Sequence, residues 1–250
     1  MDAKKLTGIL NRFFTDEWWA YYRTFVNIIW QYNRKVYGQL DPVSHLNKSR
    51  LFTKPIFLEV HLLKPHLDHF SFLAPFYEFF IQPKNPEKIS SLANLPSDGI
   101  FLDVGGGTGR VAQYLRGKAA QILVADESFK MLQEAQKKEG LQPVQSLAEN
   151  LPFQNDTFDC VIMVDALHHV ADQQKTVDEL WRILRPGGRI IIEEPDIHFL
   201  RVKFIAIAEK LALMRSHFLS PQQILALFQG KSSMGRVVQE DSLAWIIVEK

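Results

Sequence analysis

The chain has 250 residues, of which 46% are hydrophobic and 23% are charged, and its formal net charge is +1. This composition is typical of a folded globular protein, and the near-neutral charge argues against a dedicated nucleic-acid binder. No uninterrupted apolar stretch of about 18 residues predicts a transmembrane helix, and the first residues show no secretory signal. The single cysteine, Cys160, excludes an intrachain disulfide, so a cytoplasmic protein is predicted.

Two parts of the chain differ in composition. Residues 1–97 hold 18 of the 29 aromatic residues and carry 12 Lys and Arg against 8 Asp and Glu. Residues 98–250 carry 17 Lys and Arg against 20 Asp and Glu. We therefore predict an N-terminal extension over residues 1–97 and a second, larger domain over residues 98–250.

The N-terminal extension is predicted to be helical. Residues Leu6–Tyr37 read as one or two helices, and prolines divide the remainder into short pieces. Aromatic residues occupy both faces of this first segment, which indicates burial. Three interpretations stay open: a cap that lines an apolar pocket, a homodimer interface, or a membrane-surface segment, against which Asp16 and Glu17 argue.

From Gly99 onward, short apolar strands alternate with helical patterns. Five strands are predicted at residues 100–104, 121–125, 142–147, 158–164 and 189–194. Helices are predicted at residues 108–116, at residues 128–138 with Phe129, Met131, Leu132 and Ala135 facing inward, and after an N-cap at Asp172. This alternation predicts βαβ units and therefore a doubly wound, Rossmann-like sheet.

After Pro195 the pattern changes. Residues 199–218 and 221–228 predict two helices, and residues 236–240 and 243–249 predict two strands joined by a tight turn. This hairpin would add an antiparallel part at the edge of the sheet. The predicted fold is thus α/β, with a doubly wound seven-stranded sheet, a C-terminal antiparallel hairpin and an N-terminal helical extension.

Four glycines lie between the first strand and the helix predicted after it, where Asp103 begins the run Asp-Val-Gly-Gly-Gly-Thr-Gly. Glycines at such a junction let the backbone turn sharply and let a ligand lie against bare main chain. Gly107, Gly109 and Ala112 also satisfy the dinucleotide pattern G-x-G-x-x-G/A. A plain structural turn rarely needs so many glycines, so a cofactor site is predicted here.

Two carboxylates near these glycines narrow the choice of cofactor. Asp126 follows the second predicted strand and would accept hydrogen bonds from both hydroxyls of a ribose, as in NAD or another adenosine cofactor. Asp103 would repel a pyrophosphate but could orient an ammonium group. An adenosine ligand with an amino-acid tail and no phosphates is S-adenosylmethionine. It is the predicted cofactor, and an NAD-dependent oxidoreductase is the alternative.

Several further short stretches follow the glycine loop in a specific order. The set consists of Leu102–Gly109, Val124–Ser128 with Met131, Ala148–Phe153, Phe158–Val161, Ala166–Val170 and Glu179–Gly188. Their order and spacing resemble the class I S-adenosylmethionine-dependent methyltransferases, especially the type 11 group that includes the quinone-biosynthesis C-methyltransferases. The resemblance covers about 100 residues closely, from 98 to 195.

The resemblance implies a set of cofactor contacts. Asp103, Gly105 and Gly107 would contact the methionine part, Asp126 the ribose, Met131 the adenine, and Ala148 and Glu149 the adenine edge, with Glu127 and Asp165 as neighbours. One departure matters, because the group commonly has an acid before the Ala-Glu pair and this chain has Leu147. The contact to the adenine amino group would then come from main chain or from Glu149.

The implied reaction is in-line transfer of a methyl group to a small, hydrophobic or aromatic acceptor. An acceptor that loses a proton benefits from a general base, and His168 and His169 after the fourth strand are the candidates. The alternative is that this pair only shapes the loop. Asp165, Glu194, Asp196 and His198 are further candidates at the same edge of the predicted sheet, with Asp165 expected as a neighbour of the cofactor and not as a base. No metal site is predicted. A non-catalytic S-adenosylmethionine-binding protein is a further alternative, and the acceptor itself is left open.

Overall fold

The computed structural model of the chain describes residues 86–95, 98–211, 216–231 and 234–250. The helices predicted within Leu6–Tyr37 lie outside the described residues, so the cap, dimer and membrane-surface interpretations stay predictions. No helix within the described ranges is long and apolar enough to cross a membrane.

Seven strands form a single sheet. They are β1 (Ile100–Val104), β2 (Gln121–Asp126), β3 (Leu141–Gln145), β4 (Phe158–Val164), β5 (Leu184–Pro195), β6 (Met234–Glu240) and β7 (Leu243–Glu249). Their spatial order is β3-β2-β1-β4-β5-β7-β6, and the first five run parallel. Strand β7 pairs antiparallel with both β5 and β6. The predicted α/β fold with a doubly wound sheet and a C-terminal hairpin is confirmed.

Five α-helices and two single 3₁₀ turns lie among the described residues. The helices are α1 (Pro86–Leu92), α2 (Phe129–Gln136), α3 (Gln173–Ile183), α4 (Leu200–Leu211) and α5 (Pro221–Ala226), and the 3₁₀ turns are Ala112–Leu115 and Leu167–His169. Two of the predicted helix ends are confirmed by their caps. The Asp172 carboxylate accepts from the Lys175 amide at 2.9 Å, and Ser220 forms a capping box with Gln223.

Three details of the helix prediction are wrong. The helix predicted over residues 199–218 does not reach its predicted end, because residues 216–218 lie beyond α4 and are not helical. Residues 108–116 form no α-helix, because Gly107 and Gly109 have positive φ angles and only the turn Ala112–Leu115 follows them. Phe129 is 59% exposed, since the buried stripe of α2 runs through Ser128, Met131, Leu132 and Ala135 and Phe129 lies one residue off it.

The core consists of two apolar clusters that follow the alternation of side chains along the strands. One cluster holds Leu102 and Val161 together with α3, and the other holds Phe101 and Cys160 together with α2. Cys160 is buried, and burial raises the pKa of its thiol to about 12, so it is an inert core thiol as predicted.

Residues 86–95, which the sequence assigns to the N-terminal extension, pack on this sheet. Ile89 of α1 is fully buried in the cluster that contains Phe101. Two polar contacts fix the same segment, because Lys118 Nζ donates to Ser90 Oγ at 3.3 Å and the Arg189 guanidinium donates to the Leu92 carbonyl. The division of the chain at residue 98 stays a prediction.

Candidate functional site

The glycine loop leaves the sheet at the carboxyl end of β1, between β2 and β4. The chain order reverses at this position, which in doubly wound sheets is where ligands bind. The amides of Gly105 and Gly106 both donate to the Ala125 carbonyl of β2, at 2.8 and 3.3 Å. Gly105 has a φ of +68°, and a Cβ there would lie only 2.6 Å from the Cβ of Ala166. The loop therefore passes against the segment after β4 too closely for any side chain.

Gly105→Ala should lower stability more than Gly117→Ala, which is a matched control. Both glycines have φ near +70°, but nothing lies within 4 Å of a Cβ built at Gly117. The control should therefore show only backbone strain of about 1 kcal/mol, while the clash at Gly105 should add roughly 1–3 kcal/mol. Urea unfolding of both variants measures the difference, and Ala166→Gly combined with Gly105→Ala should restore part of it. Equal losses for the two variants would contradict the close approach.

Asp126 joins the glycine loop to the start of α2. Its Oδ2 accepts from the Gly107 amide at 2.9 Å, and its Oδ1 accepts from the Ser128 amide at 2.8 Å. It is the last residue of β2, as predicted, and it is half-buried. A carboxylate can accept several hydrogen bonds at once, so these main-chain contacts are compatible with ribose hydroxyls as additional donors.

Asp103 is a buried carboxylate with an incomplete hydrogen-bond shell. The residue is 2% exposed, and its Oδ2 has no hydrogen-bond partner within the described ranges. Burial raises the pKa of this carboxyl to about 7, although the nearby Arg110 opposes the shift. A Cβ at Gly106 would lie 2.8 Å from this oxygen, so the loop covers it with bare main chain. An unsatisfied buried oxygen is costly, and a cationic donor such as the ammonium of an amino acid would satisfy it.

The remaining predicted cofactor residues differ in their burial and in the groups that they contact. Met131 is buried, and its Cε would lie 3.2 Å from a Cβ at Gly107. Glu127 is exposed, and Ala148 packs at the edge of the core. Glu149 has main-chain partners, because its Oε1 accepts from the amides of Ala171 and Asp172 at 2.7 and 3.2 Å. Its role at the adenine edge stays a prediction.

Asp165 directly follows the last residue of β4. It has a φ of +56°, which is strained for a residue other than glycine, and its carboxylate lies 3.7 Å from the guanidinium of Arg110. Arg110 is buried to 7% exposure and was not selected from the sequence. The only sequence signal for Arg110 is its place directly after the last glycine of the loop.

Glu194 fixes the turn that carries the two candidate histidines. Its Oε1 accepts from the amides of Ala166 and Leu167 at 3.0 and 2.7 Å, and its Oε2 lies 2.5 Å from His168 Nδ1. The side chains of Glu194 and His168 are only 4% and 3% exposed. Of the strand-end acids named from the sequence, this residue therefore has a clear role, which is to hold the turn and orient one imidazole.

His168 lies between two other rings. Its ring centroid is 4.1 Å from that of Phe218, in a stacked arrangement, and 4.0 Å from that of His169. Burial alone would lower the pKa of His168, but the adjacent Glu194 carboxylate outweighs it and, with Asp165 and Glu209, raises the pKa to about 9.

The other two strand-end candidates contact each other. Asp196 Oδ1 accepts from the His198 amide at 2.9 Å and lies 2.8 Å from the ring Nδ1, while Asp196 Oδ2 accepts from Gln239 of β6. Asp196 is buried and thus ties the loop after β5 to the hairpin. Glu209 of α4, which no motif indicated, instead reaches the two candidate histidines.

Comparison with known proteins adds a family to this geometry. A family model described as a methyltransferase domain matches residues 102–192. The chain is 37% identical over 114 residues to a ubiquinone/menaquinone biosynthesis C-methyltransferase from Marinomonas sp. (strain MWYL1), covering 42% of this chain and 45% of the relative. The same enzyme from Haemophilus ducreyi is 37% identical over 103 residues, which are 37% of this chain and 40% of the relative. The matched part thus spans less than half the length of these relatives.

Solved structures agree on the fold. A crystal structure from Thermotoga maritima, described as an S-adenosylmethionine-dependent methyltransferase and possible histamine N-methyltransferase, matches with a TM-score of 0.56. The match has 22% identity and covers 71% of this chain and 97% of that chain, so it shows the fold alone. Residues 102–192 thus match the methyltransferase-domain family model, and the fold is Rossmann-like, as in the S-adenosylmethionine-dependent methyltransferase from Thermotoga maritima.

Proposed function

We propose that this protein transfers a methyl group from S-adenosylmethionine to a small, hydrophobic or aromatic acceptor. The observation that carries the proposal is that Asp103 Oδ2, under the glycine loop, has no hydrogen-bond partner among the residues that the structure describes. A ligand with an ammonium group satisfies this oxygen, whereas the pyrophosphate of NAD would lie against a carboxylate. The acceptor class is supported by the matched relatives, which are described as C-methyltransferases of ubiquinone and menaquinone biosynthesis.

Different residues of the chain would bind different parts of the cofactor. Asp103 would hold the ammonium group, the main chain at Gly105 and Gly107 would contact the methionine part, and Asp126 would hold the ribose. When bound, the cofactor supplies a methyl group that its sulfonium already makes electrophilic. The protein therefore has to position the acceptor and exclude water, and positioning can lower a barrier by roughly 7–11 kcal/mol.

The acceptor is expected at the carboxyl ends of β4 and β5, next to the glycine loop. His168 and His169 lie on the turn after β4, and Glu194 of β5 holds that turn. An acceptor with an acidic hydroxyl has to lose its proton before or during transfer. We assign the binding of this hydroxyl, and the loss of its proton, to the His168–His169 pair.

Asp126→Ala should weaken S-adenosylmethionine binding at least tenfold, which corresponds to about 1.4 kcal/mol. The variant removes the ribose acceptor and also releases the Gly107 amide. Calorimetric titration measures the affinity, and Asp178→Ala is the control, because Asp178 is an exposed carboxylate on α3 paired with Lys231. Unchanged affinity in Asp126→Ala would remove this residue from the site.

Two experiments separate the proposed activity from its alternatives. Calorimetry with S-adenosylmethionine and with NAD tests the cofactor, and binding of NAD alone would overturn the proposal. Methyl-labelled S-adenosylmethionine with a panel of phenols, quinols and amines tests the transfer. We expect label in a phenol or quinol product, and binding without transfer to any member of the panel would support a non-catalytic binding protein instead.

A further inference from the structure

Three side chains that could bind a metal ion meet beside the proposed acceptor site. His168 and His169 come from the turn after β4, and Glu209 comes from α4, about 40 residues further along the chain. One potential ligand atom from each lies within 4.8 Å of the other two. His168 is buried and the other two are half-buried, so this is an interior cluster and not a chance meeting of exposed charges.

The donor set matches the preferences of first-row transition metals. Two imidazoles and one carboxylate form the ligand set of many catalytic zinc sites and of the two-histidine, one-carboxylate iron sites. Such ligands lie about 2.0–2.2 Å from the ion, hence roughly 3–3.5 Å from one another. The three ligand atoms lie within 4.8 Å of one another, so small rotations of the two half-buried side chains, His169 and Glu209, can bring them to these distances.

Outer partners already orient two of the three ligands. Glu194 Oε2 lies 2.5 Å from His168 Nδ1, which leaves the opposite ring nitrogen as the metal-binding atom. Ser216 Oγ donates to Glu209 Oε2 at 2.6 Å, so that carboxylate is also held in place. In metal sites, a ligating histidine usually donates its other ring N–H to a carboxylate, which fixes the orientation of the ring. Glu194 is itself fixed by two main-chain amides, so the arrangement is rigid.

We propose that His168, His169 and Glu209 bind one divalent transition-metal ion such as Zn²⁺, and that a remaining coordination position takes the hydroxyl oxygen of the acceptor. This assignment rests on the proposed function and specifies how the histidine pair handles that hydroxyl. The acceptor oxygen binds the metal, its O–H bond breaks and the proton leaves to water. The resulting phenolate is electron-rich at oxygen and at the adjacent ring carbons, which is where a methyl group would be accepted.

Direct metal binding tests the site without reference to activity. The 250-residue chain is stripped with a chelator and titrated with Zn²⁺ by calorimetry and with Co²⁺ by visible absorption. We expect one ion per chain and Co²⁺ bands of a low-symmetry site. His169→Ala and Glu209→Gln should each weaken binding at least tenfold, whereas His198→Ala, an exposed imidazole tied to Asp196, should not. The glutamine retains an acceptor for Ser216, which preserves the local fold.

The outcomes distinguish this proposal from the proposed function. Absence of saturable binding, or equal affinities in the wild type and the two ligand variants, would overturn the metal site. Calorimetry with S-adenosylmethionine on the same variants shows that they are folded, because neither residue is among the predicted cofactor contacts. Metal binding without methyl transfer to the panel would uphold the metal site and count against the transferase. Transfer that proceeds unchanged in stripped protein would overturn the metal's role.

Discussion

Asparagine in place of Asp103 is expected to weaken S-adenosylmethionine binding roughly a hundredfold and, at the same time, to stabilise the cofactor-free protein at neutral and alkaline pH. The lost interaction is a buried, charge-assisted contact to an ammonium group, worth about 3 kcal/mol or roughly a hundredfold in affinity. The gain in stability has a separate origin. Asp103 is 2% exposed, so its negative charge is costly whenever no ligand compensates it.

The sign of the pH dependence follows from the raised pKa of Asp103. Its pKa is about 7 in the folded protein against an ordinary value of 3.8. Between these values the folded protein retains a proton that the unfolded chain has lost, so the free energy of unfolding falls as pH rises. The fall is at most about 1.4 kcal/mol per pH unit and is complete above the folded pKa. Asparagine does not titrate, so the advantage of Asp103→Asn should grow from pH 5 to pH 8.

Urea unfolding across this pH range measures the difference in the free energy of unfolding between the wild type and Asp103→Asn. Calorimetry at pH 8 measures the affinity for S-adenosylmethionine. Asp178→Asn is the control, because that exposed carboxylate should change neither quantity appreciably. A gap that stays constant with pH would show that Asp103 does not carry the buried charge. Retained affinity would show that it does not hold the cofactor.

The parts of the molecule predicted from sequence are those encoded by neighbouring residues. The apolar strands, the glycine loop after β1 and the Asp126 position at the end of β2 all depend on local patterns, and the structure places them as expected. The helix predicted over residues 108–116 does not form, because Gly109 and the preceding Gly107 have left-handed backbone angles. Apolar spacing carries no information about φ.

The parts that could not be predicted depend on how distant segments meet. Glu209 joins His168 and His169 only because α4 runs back over the turn after β4, and no motif in residues 199–218 marks it. Glu194 was named as a candidate for the chemistry, yet its carboxylate bonds two amides and one imidazole. The position of an acidic residue at a strand end therefore does not show whether its carboxylate takes part in the reaction or holds neighbouring groups in place.

Glu194→Ala should therefore be among the most destabilising single substitutions in the domain. It leaves the Ala166 and Leu167 amides and the His168 ring without their acceptor, in a region where Glu194 is 3% exposed. Removing one partner of a buried charged pair costs about 3–5 kcal/mol. Glu134→Ala is the control, because its ion pair with Lys137 is exposed and should contribute less than about 1 kcal/mol. Urea unfolding at pH 7 compares them.

Glu194→Gln separates the charge from the hydrogen bonds. The glutamine oxygen can still accept from the two amides, but it no longer favours a protonated His168. The pKa of His168 is raised from 6.5 to about 9 in the folded protein, so the stability that this pair contributes is complete below pH 6.5 and is lost as pH rises through 9. In metal-free protein, the stability gap between the wild type and Glu194→Gln should therefore narrow from pH 6.5 to pH 9.

Titration of the His168 ring by NMR measures its pKa directly. In Glu194→Gln its pKa should fall below the ordinary value, because burial, which lowers it, is then opposed only by the more distant Asp165 and Glu209. A His168 pKa that stays near 9 in the variant would mean that another group holds the proton, and the turn after β4 would then need a different explanation for its buried charge.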